Sequence, residues 1–264
     1  MSLTWLLEPY IHDEVHAALR PLATRRGHRA LLWKDEWLER WPSLEEGTVI
    51  FHGSLGTADK IAASSPWNPG AFCATSRFLC SAWYEAASEW LLHREYAFTT
   101  VDAFVAAPSK LFSRFGDPEA LFVRPDSPLK PFSGRVISRD NVSLEALDHG
   151  FYYEDVDLPI VAAPVQNVGR EWRYVVASGE VITGSGYSAA TRSASTEEAK
   201  GRPWDFAAQV ATSLPAPEAV FVLDICEVED ELRVIELNPF SGADLYGCEL
   251  QAIVDLFERL SHRS

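Results

Sequence analysis

Phe221-Val222-Leu223-Asp224-Ile225-Cys226-Glu227-Val228-Glu229-Asp230-Glu231-Leu232-Arg233-Val234-Ile235-Glu236-Leu237-Asn238-Pro239 places two β-branched and apolar runs on either side of an acidic break, the pattern of two antiparallel strands joined by a turn. A turn centred on Asp230 sets Asp224 opposite Glu236, because the two lie equally far from it, and puts Asn238 on the same face as Glu236. Like charges directly opposite in a sheet are destabilising. The flanking Leu223, Ile225, Ile235 and Leu237 argue that the hairpin is partly buried, so a positive group belongs between the acids. Mg2+ suits the place best, being a hard cation that takes one or two carboxylates plus phosphate oxygens. Acids decorating a solvent face would give the same spelling, and a one-residue slip of register would separate the pair.

Upstream of the hairpin, Phe122-Val123-Arg124 reads as a strand ending in a cation, and Pro125-Asp126-Ser127-Pro128-Leu129-Lys130-Pro131-Phe132-Ser133-Gly134 as a loop with a second cation and a small Ser-Gly pair. Such a loop can bring backbone N–H groups and a charge to a phosphate, or be a proline-rich surface loop. No Gly-x-x-x-x-Gly-Lys or Gly-x-Gly-x-x-Gly occurs in it. In Glu171-Trp172-Arg173-Tyr174-Val175, alternation puts Glu171, Arg173 and Val175 on one face. Arg173 there offers a rigid fork matched to phosphate or carboxylate, or a simple ion pair. Ser178-Gly179 is a two-residue turn signal between two such runs. Further strands are expected at Leu121–Arg124, Gly134–Ile137, Ile160–Ala163, Trp172–Ala177 and Glu180–Thr183.

The first third has a different rhythm: strand candidates at Trp5–Leu7, Ala30–Trp33 and Val49–Phe51 alternate with helix candidates at Asp13–Arg26 and Lys34–Arg40, an α/β pattern. Ser64–Gly70 is dense in turn formers and marks a boundary. Leu79, Ala82, Trp83, Ala86 and Trp90 recur at helical spacing within Phe78–Trp90 and predict a helix with an aromatic core face. Leu245 to Leu260 reads as an amphipathic terminal helix.

Composition narrows the classes of function. With 264 residues and 47% hydrophobic side chains, the chain can bury a sizeable core. Its 23 basic and 38 acidic residues give a net charge of −15, which disfavours duplex nucleic acid as a partner. Cys73, Cys80, Cys226 and Cys248 have neither zinc-ligand nor disulfide-framework spacing. The N-terminus lacks a signal pattern and no run is long enough to span a membrane, so a cytoplasmic location without membrane association is expected. His12 and His16 stand one turn apart and could hold a metal, but the sequence offers no third ligand and they read as a solvated helix face. Ser54 in His52-Gly53-Ser54-Leu55-Gly56 reads as a helix N-cap or an anion site at a helix N-terminus. No Gly-x-Ser-x-Gly or paired base supports a serine or cysteine nucleophile.

Taken in order, the stretches Phe122–Gly134, Glu171–Tyr187 and Leu223–Tyr246 resemble the ATP-grasp superfamily, and within it a small clade associated with phages and bacteria. The resemblance runs from about Phe98 to the C-terminus and is strongest in Asp224 followed by Glu236-Leu237-Asn238-Pro239, which matches the metal-ligand pattern of the superfamily. It implies an α+β ATP-grasp fold: an N-terminal α/β subdomain over residues 1–75 and an ATP-grasp region over 76–264, with a nucleotide lid at about 98–165 and the metal hairpin at 221–238. It also implies ATP and Mg2+, with Asp224, Glu236 and Asn238 as metal ligands and Lys110 and Arg124 against the ATP phosphates. Lys130, Ser133 and Gly134 would lie in a mobile phosphate-covering loop, and Arg173 near the transferred phosphoryl group, so that Arg124, Lys130 and Arg173 act in catalysis. Arg124 stands where the family usually has lysine. The linker Val161–Val165 lacks the usual ribose-holding acid, so adenine is expected on the backbone of Ala162, Ala163 and Val165.

The implied activity is an ADP-forming ligase that joins a small-molecule or peptide carboxylate to an amine through an acylphosphate. A kinase-like phosphotransferase or a non-catalytic ATP-binding protein would use the same hairpin. Gly53 and Ser54 follow one N-terminal strand, and Ser241 and Gly242 follow the metal ligands. Small residues allow close approach, so these four are expected to wall the acceptor pocket.

Overall fold

The computed structural model describes residues 3–44, 47–188 and 193–262. Three sheets organise them. The first is built from β1 (Leu3–Leu7), β2 (Arg29–Leu32), β3 (Thr48–His52) and β4 (Pro69–Gly70), all parallel in the order β2-β1-β3-β4, with helices α1 (Asp13–Arg25) and α2 (Leu55–Ser64) as crossovers. Every residue of β1 is buried, as a parallel strand covered on both faces requires. After the short helix α3 (Cys80–Trp83) come β5 (Ala97–Thr100), helices α4 (Val101–Ala106) and α5 (Pro108–Arg114), β6 (Ala120–Pro125), β7 (Arg135–Ser138) and β8 (Pro159–Pro164). These four strands form an antiparallel sheet in the order β5-β8-β6-β7 around Phe104, Phe112 and Leu121.

The third sheet carries the charged hairpin. It consists of β9 (Glu171–Ala177), β10 (Glu180–Ser188), β11 (Ser193–Ser195), β12 (Val220–Val228) and β13 (Glu231–Pro239), in the order β11-β10-β9-β12-β13, with α6 (Arg202–Ser213) and α7 (Leu250–Ser261) beside it. Alternation along β9 sends Trp172 and Tyr174 into one core with Phe221 and Leu223, and Val175 and Ala177 into another with Val220 and Val222. The second of these cores also holds Leu3, Trp5 and Ile50 of the first sheet and Phe257 of α7. The N-terminal strands are therefore packed onto the third sheet through shared side chains.

The β9–β10 turn at Ser178-Gly179 has positive φ at both residues, 53° and 79°, the geometry that matches the twist of a tight hairpin. Two helical expectations fail. Only Cys80–Trp83 is α-helical within Phe78–Trp90, and the buried residues are Cys80, Trp83, Tyr84, Ala87 and Leu91, while Ala82 and Ala86 are exposed. The cause is long-range: Leu92 N donates to Val234 O and Val234 N to Trp90 O, so the segment is drawn out alongside β13. At Lys34–Arg40 only a 3-10 turn at Asp35–Leu38 forms; it brings Trp37 edge-on to Trp33, 5.5 Å between centroids.

His12 and His16 do not form a solvated face. His16 is buried, with its Nε2 2.8 Å from Nδ1 of His52, whose own Nε2 lies 3.0 Å from the carbonyl of Ala243. The pair ties α1 and β3 to the loop after β13. Burial, reinforced by the neighbouring His12, holds both imidazoles below their ordinary pKa. Below pH 6.5 the unfolded chain accordingly takes up protons that the folded pair refuses, and stability falls as the pH drops through that value. Thermal melts should show Tm decreasing between about pH 7.5 and about pH 5.5, with a shallower slope in His52→Gln. An identical slope in the variant would show that the pair contributes nothing.

Candidate active site

Sheet register brings the site together. Asp224 of β12 stands between Arg173 of β9 on one side and Glu236 of β13 on the other, and Val222 pairs with Asn238. Asp224 and Arg173 are both buried, and Arg173 grips the carboxylate with two bonds, Nε to Oδ1 at 2.8 Å and Nη2 to Oδ2 at 2.6 Å. Its Nη1 reaches the carbonyl of Asp244 at 2.7 Å. Asn238 Nδ2 donates to Asp224 Oδ2 and to Glu236 Oε1, each at 3.0 Å, and so spans the two acids. Glu236 in turn accepts from Arg124 Nη2 at 2.9 Å and from Lys130 Nζ at 2.8 Å. Arg124 ends β6 and Lys130 lies in the loop that follows, so the second sheet is fastened to the third through one carboxylate.

Burial alone would raise the carboxyl of Glu236, but Lys130 and Arg124 outweigh it and hold it well below the usual range. Burial raises Asp224 against the pull of Arg173. Lys130 has φ 49°, in the left-handed region, and its side chain reaches back to Glu236.

A cavity of about 210 Å³ opens beside this cluster, lined by Arg124, Lys130, Ser133, Gly134, Tyr187 and Glu236 among others. A Cβ on Gly134 would lie 2.7 Å from the ring of Phe122, so the loop can close on β6 at this point only with glycine. Three cations, Arg124, Lys130 and Arg173, face Asp224 and Glu236, and Glu171 also lines the cavity, so the charges gathered here balance. The two carboxylates on adjacent strands, with the Asn238 amide between them, are of the hard type that Mg2+ takes, and Arg124 and Lys130 stand where phosphate oxygens could replace Glu236 as their partner. The residues present therefore fit a magnesium nucleotide.

Residues 91–256 match a family model described as an ATP-grasp domain, the second family of its clade. The chain belongs to the ATP-grasp family. Similar solved structures agree in fold over nearly the whole length of this ATP-grasp chain. They include D-cycloserine synthetase DcsG, at 15% identity and TM-score 0.64 over 98% of this chain and 100% of that one. The ligase PsnB, complexed with precursor peptide PsnA2 and AMPPNP, gives 13% and 0.59 over 98% and 97%. D-alanine–D-alanine ligase from Bacillus anthracis, complexed with ATP, gives 13% and 0.57 over 100% and 97%. No curated protein matches the chain in sequence. Among the described residues no helix is long and apolar enough to cross a membrane.

Of the residues singled out in the ATP-grasp sequence, Arg124, Lys130, Arg173, Asp224, Glu236 and Asn238 converge, and Ser133 and Gly134 line the cavity beside them. Lys110 is exposed on α5 and does not line that cavity. Ala162 and Ala163 are buried within β8, and Ala162 is paired on both sides, with Ala97 and Val123. The sheet thus occupies both edges of Ala162, whereas Ala163 is paired on one side only, with Phe122, past the end of the β5 pairing. Val165 lies just past the strand end, half-exposed.

The loops that carry Gly53, Ser54, Ser241 and Gly242 close on one another. Gly53 N donates to Ser241 O at 2.9 Å, Ser241 Oγ accepts from Phe72 N, and a Cβ on Gly242 would fall 2.3 Å from Leu55 Cδ2. Ser54 caps α2 and its N–H bonds to Glu8. These four form the joint between the first and third sheets, and none of the four lines either of the two cavities near Arg173, although Asp244, farther along the loop after β13, lines the larger one.

Sequence reasoning did not single out Tyr187 and Tyr246. Their rings stack at 4.6 Å between centroids, and the Arg173 guanidinium lies 4.7 Å from the Tyr246 ring. They come from different elements, so no local pattern links them.

The contrast in burial sets an order of importance. Arg173→Met leaves Asp224 buried and uncompensated, and should lower unfolding free energy by about 3–5 kcal/mol in urea titrations. Lys130→Met, whose side chain is 37% exposed, should cost less than about 1 kcal/mol. Equal losses would contradict the assignment of Arg173 as the structural partner.

Proposed function

We propose that this chain is an ADP-forming ligase that couples ATP cleavage to the joining of a carboxylate and an amine through an acylphosphate. The observation that carries the reading is the pairing of Asp224 and Glu236 on adjacent strands under three cations drawn from two sheets. Asp224, Glu236 and Asn238 would hold Mg2+, which when bound screens the phosphate charge. Arg124 and Lys130 leave Glu236 for the phosphate oxygens as the nucleotide enters, which exchanges one charge-assisted contact for another. Arg173 stays on Asp224, holds that carboxylate in place and presents its positive face toward the transferred group. The protein thus positions and neutralises, which is most of what phosphoryl transfer asks of it.

The substrate carboxylate attacks the γ-phosphorus, ADP leaves, and the acylphosphate so formed is attacked by the amine with loss of phosphate and a proton. The fold relatives support a ligase: PsnB is described as a ligase complexed with Mg and ADP, and the Bacillus anthracis enzyme as a D-alanine–D-alanine ligase complexed with ATP.

Asp224→Asn and Glu236→Gln should each reduce substrate-dependent ADP formation by at least about a hundredfold, the scale on which electrostatic groups act in a closed site. Full ADP production by either variant would sink the assignment. Arg173→Lys should also be damaging, because the two-pronged grip on Asp224 is lost. The loop Pro125–Gly134 should become protected from protease by Mg-ATP; equal cleavage with and without it would show that no closure occurs.

A further inference from the structure

A second and larger cavity, about 720 Å³, lies between the first turn of α1 and the loop after β13, lined by Tyr10, His12, Glu14, Asp244 and Tyr246 among others. A pair of rings stands between it and the nucleotide cavity: Tyr187 lines the one, Tyr246 lines the other, and the two are stacked. Arg173 touches both sides of this partition, through Asp224 and through the carbonyl of Asp244. The loop that bears Asp244 and Tyr246 continues directly from the strand that carries Glu236 and Asn238. A group held here sits across the Tyr187–Tyr246 pair from Arg124 and Lys130.

The charge of this cavity is one-sided, whereas cations and carboxylates alternate in its neighbour. Asp13, Glu14 and Asp244 line it, and among the described residues neither lysine nor arginine does. Asp13 is already occupied with the N–H of Tyr10 at 3.0 Å, but Asp244 is 40% exposed toward the space, with His12 Nδ1 at 3.6 Å from its Oδ2. Its neighbours hold the Asp244 carboxyl down at about 2, the His12 bond first among them, so it is ionised at neutral pH. His12 Nε2 is buried without a hydrogen-bond partner among the described residues. Tyr10 and Tyr246 add aromatic faces, which attract cations and organic stems alike.

We infer that this cavity is the subsite for the amine co-substrate, which it binds as an ammonium ion with Asp244 as counter-ion and the Tyr246 ring beside it. The assignment rests on the ligase reading for its purpose and on the cavity alone for its binding preference. It moves the acceptor side from the Gly53–Ser241 joint to the neighbouring space, and it restricts the acceptor to compounds with a free primary amine and no carboxylate close to it.

The test is calorimetric titration of the intact protein, with and without Mg-AMPPNP, using butylamine, 1,4-diaminobutane and alaninamide against 1-butanol and butyrate. The amines should bind and the alcohol and acid should not. Asp244→Asn, which can keep the turn to Tyr246 N, should weaken amine binding by about tenfold or more while leaving Mg-AMPPNP binding unchanged. Glu14→Lys, an exposed helix position at the rim, should weaken it in the same direction. Absence of amine binding to the wild-type protein, binding of butyrate in preference, or equal amine affinity in Asp244→Asn would each overturn the proposal. Amine binding without any Mg-AMPPNP binding would leave the subsite standing and remove the ligase reading.

Discussion

The two-pronged bond between Arg173 and Asp224 at the centre of the third sheet is the constraint on which the site depends. Both side chains are buried, on neighbouring strands and in register, so neither charge has water to fall back on. With Asp224 fixed, Asn238 can bridge to Glu236, and Glu236 can reach out to Arg124 and Lys130. One chain of charge-assisted bonds thus runs from the core of the third sheet to the loop of the second. Pairs of this kind contribute little net stability, since desolvation offsets attraction; their consequence is a fixed geometry. Between the two sheets they also gather three cations in a protein that is otherwise strongly acidic. The field of the remote acids is screened within about 8–10 Å in salt, so the placement of these local charges governs what binds.

The hairpin shows how far sequence can reach. Asp224 does pair with Glu236, as spacing from Asp230 implied, but two features combine to produce that result. The turn is made by Glu229 and Asp230 together, both at positive φ, so Val228 pairs with Glu231 and the centre lies half a residue earlier than assumed. A bulge at Ile235 then inserts one residue and restores the pairing at Asp224. The facing of Asp224 and Glu236 was legible because strand alternation and hairpin turns are local, whereas the places of Arg124, Lys130 and Arg173 were implied by the family resemblance and by no local pattern.

What was not legible is set by contacts distant in sequence. The Phe78–Trp90 periodicity is genuine, yet pairing with Val234 overrides it. Ala162 carries no mark that would place it between two strands, because that depends on β5 and β6 pairing on both sides of β8. His12 and His16 read as a helix face, and only the arrival of His52 and the Asp244 loop turns that face into an interior. The same loop brings Tyr246 onto Tyr187 and divides the space near Arg173 into a cavity of mixed charge and an acidic one, an arrangement with no counterpart in any short stretch of the chain.

That the charge cluster is a seat for a magnesium nucleotide is tested most directly by titrating the wild-type protein with AMPPNP, once with Mg2+ and once in EDTA. Two buried carboxylates would repel the bare polyphosphate and accept it with its cation, so binding should be at least about tenfold tighter with the metal. Equal affinity in the two titrations, or no binding in either, would contradict the cluster's assignment.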